Sequence, residues 1–244
     1  MRHLAAHRSC DDGISFVMLT LHQIPVLLMK LLISLSLCVS CSVVLAQKRG
    51  HLVLQGNFSK EDSVHIVSSY VQARNAVAQM YTAMLAIRDA TPGQGETKKS
   101  IRAGQWINDE AFTKWLGRPE NMRLVFRNIR KIHHKFDSKF IFEVVKVDEG
   151  RCNRFVGAWA VPYGRMKIRL CRNFLNMPVD HGAKILIHEV GHETGILFHQ
   201  DLFSCRAVLR AAASHDMKAR RSPETYAWLA MSYEGLDCFS QWGY

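Results

Sequence analysis

The chain has 244 residues, 48% of them hydrophobic, 22% charged and 9% aromatic. This composition excludes a disordered, collagen-like or low-complexity protein, and the length is enough to bury a sizeable core. Lys and Arg number 32 against 21 Asp and Glu, a net charge of +11. No internal repeat or long linker divides the chain.

The first segment reads as a signal peptide spanning 1–46. Lys30 precedes an apolar run that ends in Val44-Leu45-Ala46, which is the pattern of a positive start, a short apolar stretch and small residues before a cut. A membrane anchor is the competing reading. His22, Gln23, Pro25 and Lys30 interrupt the longer apolar stretch, and the roughly sixteen residues after Lys30 fall short of the roughly 20 that a spanning helix needs. Met29-Lys30-Leu31 would itself make a clean start, which marks 1–28 as a candidate spurious extension. Residues 47–244 then form a single domain. Cys10, Cys38 and Cys41 fall in the removed part, leaving Cys152, Cys171, Cys205 and Cys238. An even count in an exported chain implies two disulfides, with three connectivities open.

In chain order, apolar residues at Val67, Tyr70, Val71, Val77, Ala78, Tyr81 and Leu85 predict an amphipathic helix over 63–87, broken by Thr91-Pro-Gly-Gln-Gly95. A short helix fits 109–116, stopped by Gly117, and Pro119 opens a third through 135 with Met122, Phe126, Ile129 and Ile132 inward. The texture then changes. Segments 140–147, 155–161 and 167–171 are β-branched and aromatic, with Pro162-Tyr163-Gly164 as a turn between the last two, so these two form a hairpin. A Cys152–Cys171 bridge would tie its open end. Pro178-Val-Asp180 caps a helix over 181–194 that Gly195 closes, and further helices fit 202–213 and 222–233, the last with Ser222 as N-cap and Pro223 in its first turn. The fold class expected is α+β: a helical N-terminal half, a small sheet with a hairpin, then the helix at 181–194 and C-terminal helices.

The chemistry lies in His188-Glu189-Val190-Gly191-His192, in the middle of that helix. Positions i and i+4 project from one face, so two neutral imidazoles can grip one Zn²⁺ at about 2.0–2.1 Å each. Glu189, following the first ligand, can take a proton from a water whose pKa the metal lowers to roughly 7. Chance placement of three residues on a solvated helix face is the bland alternative. Against it stand the helical setting and the apolar surroundings at Ile185, Leu186, Ile187 and Val190. The third ligand decides the class. A His six residues after the second is missing, because Phe198 stands there and His199 comes one residue late; Glu224 reads as a first-turn carboxylate; Asp201, just beyond Gly195, can fold back.

His188, Glu189, His192 and Asp201 stand at the spacing of the aspzincins, the deuterolysin and peptidyl-lysine metalloendopeptidase family of zinc peptidases, and the chain resembles that family over about 60 to 235. Ile168-Arg-Leu-Cys171-Arg-Asn-Phe174 resembles the strand before its active-site helix. The stretches Phe112-Thr-Lys-Trp115-Leu-Gly117 and Ser222-Pro-Glu224-Thr-Tyr226-Ala-Trp228 resemble its flanking helices. The resemblance implies a zincin-like fold, one Zn²⁺ per chain held by His188, His192 and Asp201, and Glu189 as the catalytic base. It also implies a secreted endopeptidase acting on protein or peptide substrates. No nucleic-acid module is visible, so no nucleic-acid partner is expected, and the signal-peptide reading leaves no stable membrane anchor; a monomer is expected. Three departures accompany the resemblance. Ser204 replaces the family's Tyr that donates to the oxyanion, so Tyr226, Tyr233 or His199 must serve. Glu224 would supply one charge of a substrate-binding pocket for lysine, but Ala227 stands where a second acid is usual. The N-terminal disulfide is missing, which pairs Cys152 with Cys171 and Cys205 with Cys238. Ser204 motivates the second reading, a zinc-binding relative with weak or lost activity that acts as an interaction or effector protein. The arginines at 123, 127 and 130 with Lys131 motivate a third, a basic surface-binding protein.

Overall fold

The computed structural model describes residues 51–89, 106, 108–118, 122–137, 141–146, 152, 157–160, 167–196, 202 and 204–238. The chain divides into two units, Met1–Gln47 and Lys48–Tyr244. The signal-peptide reading of the first lies outside the described residues. Within the second the elements run β1 (His51–Gln55), α1 (Lys60–Asp89), α2 (Glu110–Leu116), α3 (Arg123–Asp137), β2 (Ile141–Lys146), β3 (Ala158–Ala160) and β4 (Lys167–Leu170). They continue with α4 (Arg172–Leu175), α5 (Val179–Glu193), α6 (Cys205–Ala213), α7 (Met217–Arg221) and α8 (Pro223–Ser232). This is a helix-rich α+β fold.

The four strands form one sheet in the order β1-β2-β4-β3. β1 runs parallel to β2 and β2 parallel to β4, while β3 lies antiparallel on β4 with Ala158 opposite Leu170 and Ala160 opposite Ile168. The expected hairpin is therefore present, shorter than its sequence pattern, and β3 is an edge strand. β1 was not anticipated: five residues, His-Leu-Val-Leu-Gln, are too few to separate from a signal-peptide flank by pattern. Both expected disulfides are formed, Cys152–Cys171 and Cys205–Cys238. Among the described residues no helix is long and apolar enough to cross a membrane.

The long helix α1 starts at a reciprocal cap, with the Asp62 N–H donating to Ser59 Oγ (3.0 Å) and the Ser59 N–H to Asp62 (3.3 Å). Its buried stripe is Ile66, Ser69, Tyr70, Ala73, Ala76, Val77, Met80, Met84 and Ile87. This is rotated from the expected face, since Val71 is 43% exposed. The alanines and Ser69 explain the shift: small residues let a neighbouring helix come close, and a count of large apolar residues overlooks them. Asp109 caps α2 by accepting from the Phe112 N–H at 3.0 Å. The Gly117 that ends α2 has φ +68°.

Helix α5 lies at the centre, packed between α1 and α8. It approaches each neighbour at a glycine. A Cβ on Gly182 would collide with Ser69 Oγ of α1, and one on Gly191 would lie 2.8 Å from the Pro223 Cβ of α8. The two glycines are nine residues apart, about two and a half turns, so they face opposite sides. At its end, Thr194, Gly195 and Ile196 form a Schellman turn. The Gly195 N–H donates to the His192 carbonyl (2.9 Å) and the Ile196 N–H to the Gly191 carbonyl (3.2 Å), with Gly195 at φ +79°. Lys131 of α3 adds its ammonium to the Thr194 carbonyl at 3.0 Å, a cation placed at the negative end of the helix. Lys131, expected on a solvated basic face, is thus a helix cap. Gly191→Ala should overpack the α5–α8 contact and cost about 1–3 kcal/mol in urea unfolding; unchanged stability would show that the two helices part without cost.

Candidate metal centre

His188 and His192 occupy successive turns of α5 and turn their Nε2 atoms toward one another at 3.0 Å, with the rings edge to face. A tetrahedral zinc with two Zn–N bonds of about 2.05 Å sets its ligand nitrogens about 3.3 Å apart, so a few tenths of an ångström separate this pair from a chelating geometry. His188 Nδ1 lies 2.9 Å from Glu224 Oε2. A carboxylate there fixes the tautomer: Nδ1 carries the proton and Nε2 keeps its lone pair toward His192. Glu224 is 4% exposed, and Glu189 and His192 are each 7% exposed.

Glu224 is held from three sides. Oε1 accepts from Lys184 Nζ at 2.6 Å and from Trp228 Nε1 at 2.8 Å, and Oε2 faces His188. Lys184 also lies over the Trp228 ring, 5.0 Å from its centroid. Burial alone would raise the Glu224 pKa; the Lys184 and His188 charges and hydrogen bonds outweigh it and hold the carboxyl down at about 2. Burial likewise works against a proton on His188, but the hydrogen bond and charge of Glu224, with Glu189 adding, leave the imidazole more basic than an ordinary histidine. The Glu189 carboxylate accepts from the Ala160 N–H of edge strand β3 at 2.6 Å. This bond ties the middle of α5 to the sheet and aims the side chain to the same side as the strand.

The structure bears on three expectations about this region, against two of them and placing the third. Glu224 does not present a free charge to a substrate side chain: a lysine of its own chain takes it, and its carboxylate serves His188. Tyr226 is no oxyanion donor here. It is fully buried, donates to the Arg220 carbonyl (2.8 Å) and accepts from Asn128 Nδ2 (3.0 Å), and burial raises its pKa. Tyr233 stands nine residues beyond Glu224, about 13 Å along α8, with its ring edge-on to Phe112 of α2, 6.4 Å between centroids. Ser204 caps α6 by accepting from the Ala207 N–H at 3.2 Å. His215 accepts from the Arg118 N–H at 3.2 Å, as a surface residue.

Asp201 and His199 lie outside the described residues, and among the described residues no third metal-binding side chain joins the two imidazoles. The residue after Asp201 is placed: the Leu202 N–H donates to Ser222 Oγ at 3.2 Å, two residues before Glu224. Sequence reasoning missed Lys184 and the Ala160 N–H. Lys184 was open to it, since Lys184, His188 and His192 follow at i, i+4 and i+8 along one helix face. No protein-family model matches the chain, and no curated protein matches it by sequence.

A folded-state pKa held below the ordinary 4.5 contributes stability that is present above pH 4.5 and lost as the pH falls toward 2. Glu224→Gln should therefore cost about 3–5 kcal/mol at neutral pH, where it breaks a buried pair. In metal-free protein with chelator, its melting temperature should then fall less steeply than that of the wild type on acidification from pH 4.5. Parallel melting curves would remove the charged Glu224 from the account.

Proposed function

We propose that the chain is an exported zinc endopeptidase with a zincin-like fold, its metal held by His188, His192 and Asp201. The observation that carries this reading is the single cluster in which two imidazole Nε2 atoms converge at 3.0 Å, a carboxylate braces the first of them, and Glu189 sits between them in sequence and against an edge strand. Paired neutral imidazoles and a carboxylate are a donor set suited to zinc. The Leu202–Ser222 bond supports Asp201 as the third ligand, because it brings the chain back beside the helix that carries Glu224. The two disulfides support an exported protein.

When bound, a zinc ion supplies Lewis acidity and a water acidic enough to be deprotonated near neutral pH. The rest falls to the chain. His188 and His192 hold neutral nitrogens at a fixed separation, and Glu224 keeps the His188 ring from turning. Glu189 receives a proton on its carboxylate and returns it to the leaving amine. The Ala160 N–H holds that carboxylate in one orientation. β3, an edge strand among the described residues, would offer to an extended peptide the backbone groups that remain beside the Ala160 N–H, which Glu189 holds. Glu224, being occupied by Lys184, gives no reason to expect a preference for lysine substrates.

Glu189→Gln should retain one zinc per chain and lose at least about a hundredfold in cleavage of an unfolded protein. Full activity in that variant would sink the mechanism, and a wild type that neither holds zinc nor cuts would sink the whole reading. A wild type that holds zinc but does not cut would favour the effector reading that Ser204 motivates. Asp201→Ala should weaken zinc affinity by a large factor in a competition assay with a chromogenic chelator; undiminished affinity would transfer the third ligand to another residue.

A further inference from the structure

The chain contains one Asn-x-Ser/Thr triplet, Asn57-Phe58-Ser59. It stands between the end of β1 and the start of α1. Gly56 turns the chain out of the strand at φ +118°, and the Phe58 N–H donates to the Gly56 carbonyl at 3.1 Å. Phe58 is half-buried and packs against the hydrophobic core, while Asn57 and Ser59 on either side of it are exposed. The aromatic ring thus anchors the segment and leaves Asn57 at the surface. Ser59 opens α1: its Oγ accepts from the Asp62 N–H at 3.0 Å, and its carbonyl accepts from Ser63 Oγ at 2.8 Å.

We propose that Asn57 is an acceptor for an N-linked oligosaccharide. The donor is an oligosaccharide carried on a polyprenyl pyrophosphate, and the catalyst is the membrane-bound transferase of a eukaryotic secretory pathway. The Asn57 amide nitrogen bonds to the anomeric carbon of the first sugar, and the bond from that carbon to the pyrophosphate oxygen breaks. The polyprenyl pyrophosphate departs with the electron pair of that bond, and one amide proton is released. The triplet tolerates any residue but Pro at its centre, so Phe58 is no obstacle. The transferase reads the Ser59 hydroxyl, and the helix cap engages that same hydroxyl once α1 has formed. Transfer therefore precedes the folding of α1. In the folded chain a bulky, solvated sugar at the exposed position 57 displaces no core contact. The inference rests on the export half of the reading above and is independent of zinc and of hydrolysis.

The test is expression of the full 244-residue chain in cultured mammalian cells, with mass spectrometry before and after digestion by peptide N-glycosidase. Chain from the medium and chain retained in the cells are both measured, because a sugar added before folding is present even on chains that fold badly. Digestion should remove the mass of one oligosaccharide, and position 57 should then read Asp, since the enzyme hydrolyses the modified amide. Asn57→Gln and Ser59→Ala should each abolish the shift. Ser59→Thr, which keeps a hydroxyl for both the transferase and the cap, should retain it. A second version with a proven cleavable signal fused ahead of Gln47 separates this inference from the export reading. A glycan on the fused version but not on the full chain would overturn the signal-peptide assignment and leave Asn57 standing as an acceptor. An unmodified Asn57 on the fused version would overturn the proposal, as would a glycan that survives Asn57→Gln.

Discussion

The site depends on the bond between His188 and Glu224. One partner comes from the middle of α5 and the other from the first turn of α8, so the bond exists only while the two helices stay in contact. That contact rests on Gly191 lying against Pro223. Pro223 is a natural first-turn residue of a helix, and its ring fills the space that a side chain at 191 would take. A backbone preference at one helix start and a missing side chain in another thus set the distance over which an imidazole and a carboxylate meet. Lys184 then makes it tolerable to bury that carboxylate, since an unpaired charge at this depth would be costly.

The same logic extends to the other neighbours of α5. The edge strand reaches it through the Ala160 N–H, α3 reaches its end through Lys131, and the Schellman turn at Gly195 stops it just past His192. Each fixes a different degree of freedom. The sheet sets the orientation of Glu189, the lysine cap satisfies a terminal carbonyl, and the glycine turns the chain out of the helix. Leu202 is then caught by Ser222, the residue that also begins α8. Leu202 and the brace of His188 are therefore anchored at nearly the same place.

Much of this was legible in the sequence because it depends on local rules. The helices over 109–116, 181–194 and 222–233 were readable from Gly117, Gly195 and Ser222-Pro223, since caps and breakers act on their nearest neighbours. The hairpin was readable from β-branched runs around Pro162-Tyr163-Gly164. The partnership of His188 with His192 followed from helical spacing alone. The role of Glu224 was not readable, because position 224 is a good place for an acid in any helix and only the packing of α8 on α5 turns it toward an imidazole. The fate of Tyr226 was hidden for the same reason: Asn128, which claims its hydroxyl, lies 98 positions away. β1 and the rotation of the α1 stripe escaped because a five-residue strand and a face made of alanines carry little pattern.

Helix α5 bears two interior glycines, each about 1 kcal/mol worse than alanine for helix formation. They face opposite neighbours, and each marks a place where another helix comes too near for a methyl group. Residues 179–193 are consequently poor helix formers by themselves and owe their shape to the clamp around them. A short peptide excised from this stretch would be mostly random coil, its two rings wandering independently. Whatever affinity the pair has for a cation therefore belongs to the entire domain, and transplanting the five-residue motif onto an unrelated scaffold would carry over the letters without the grip.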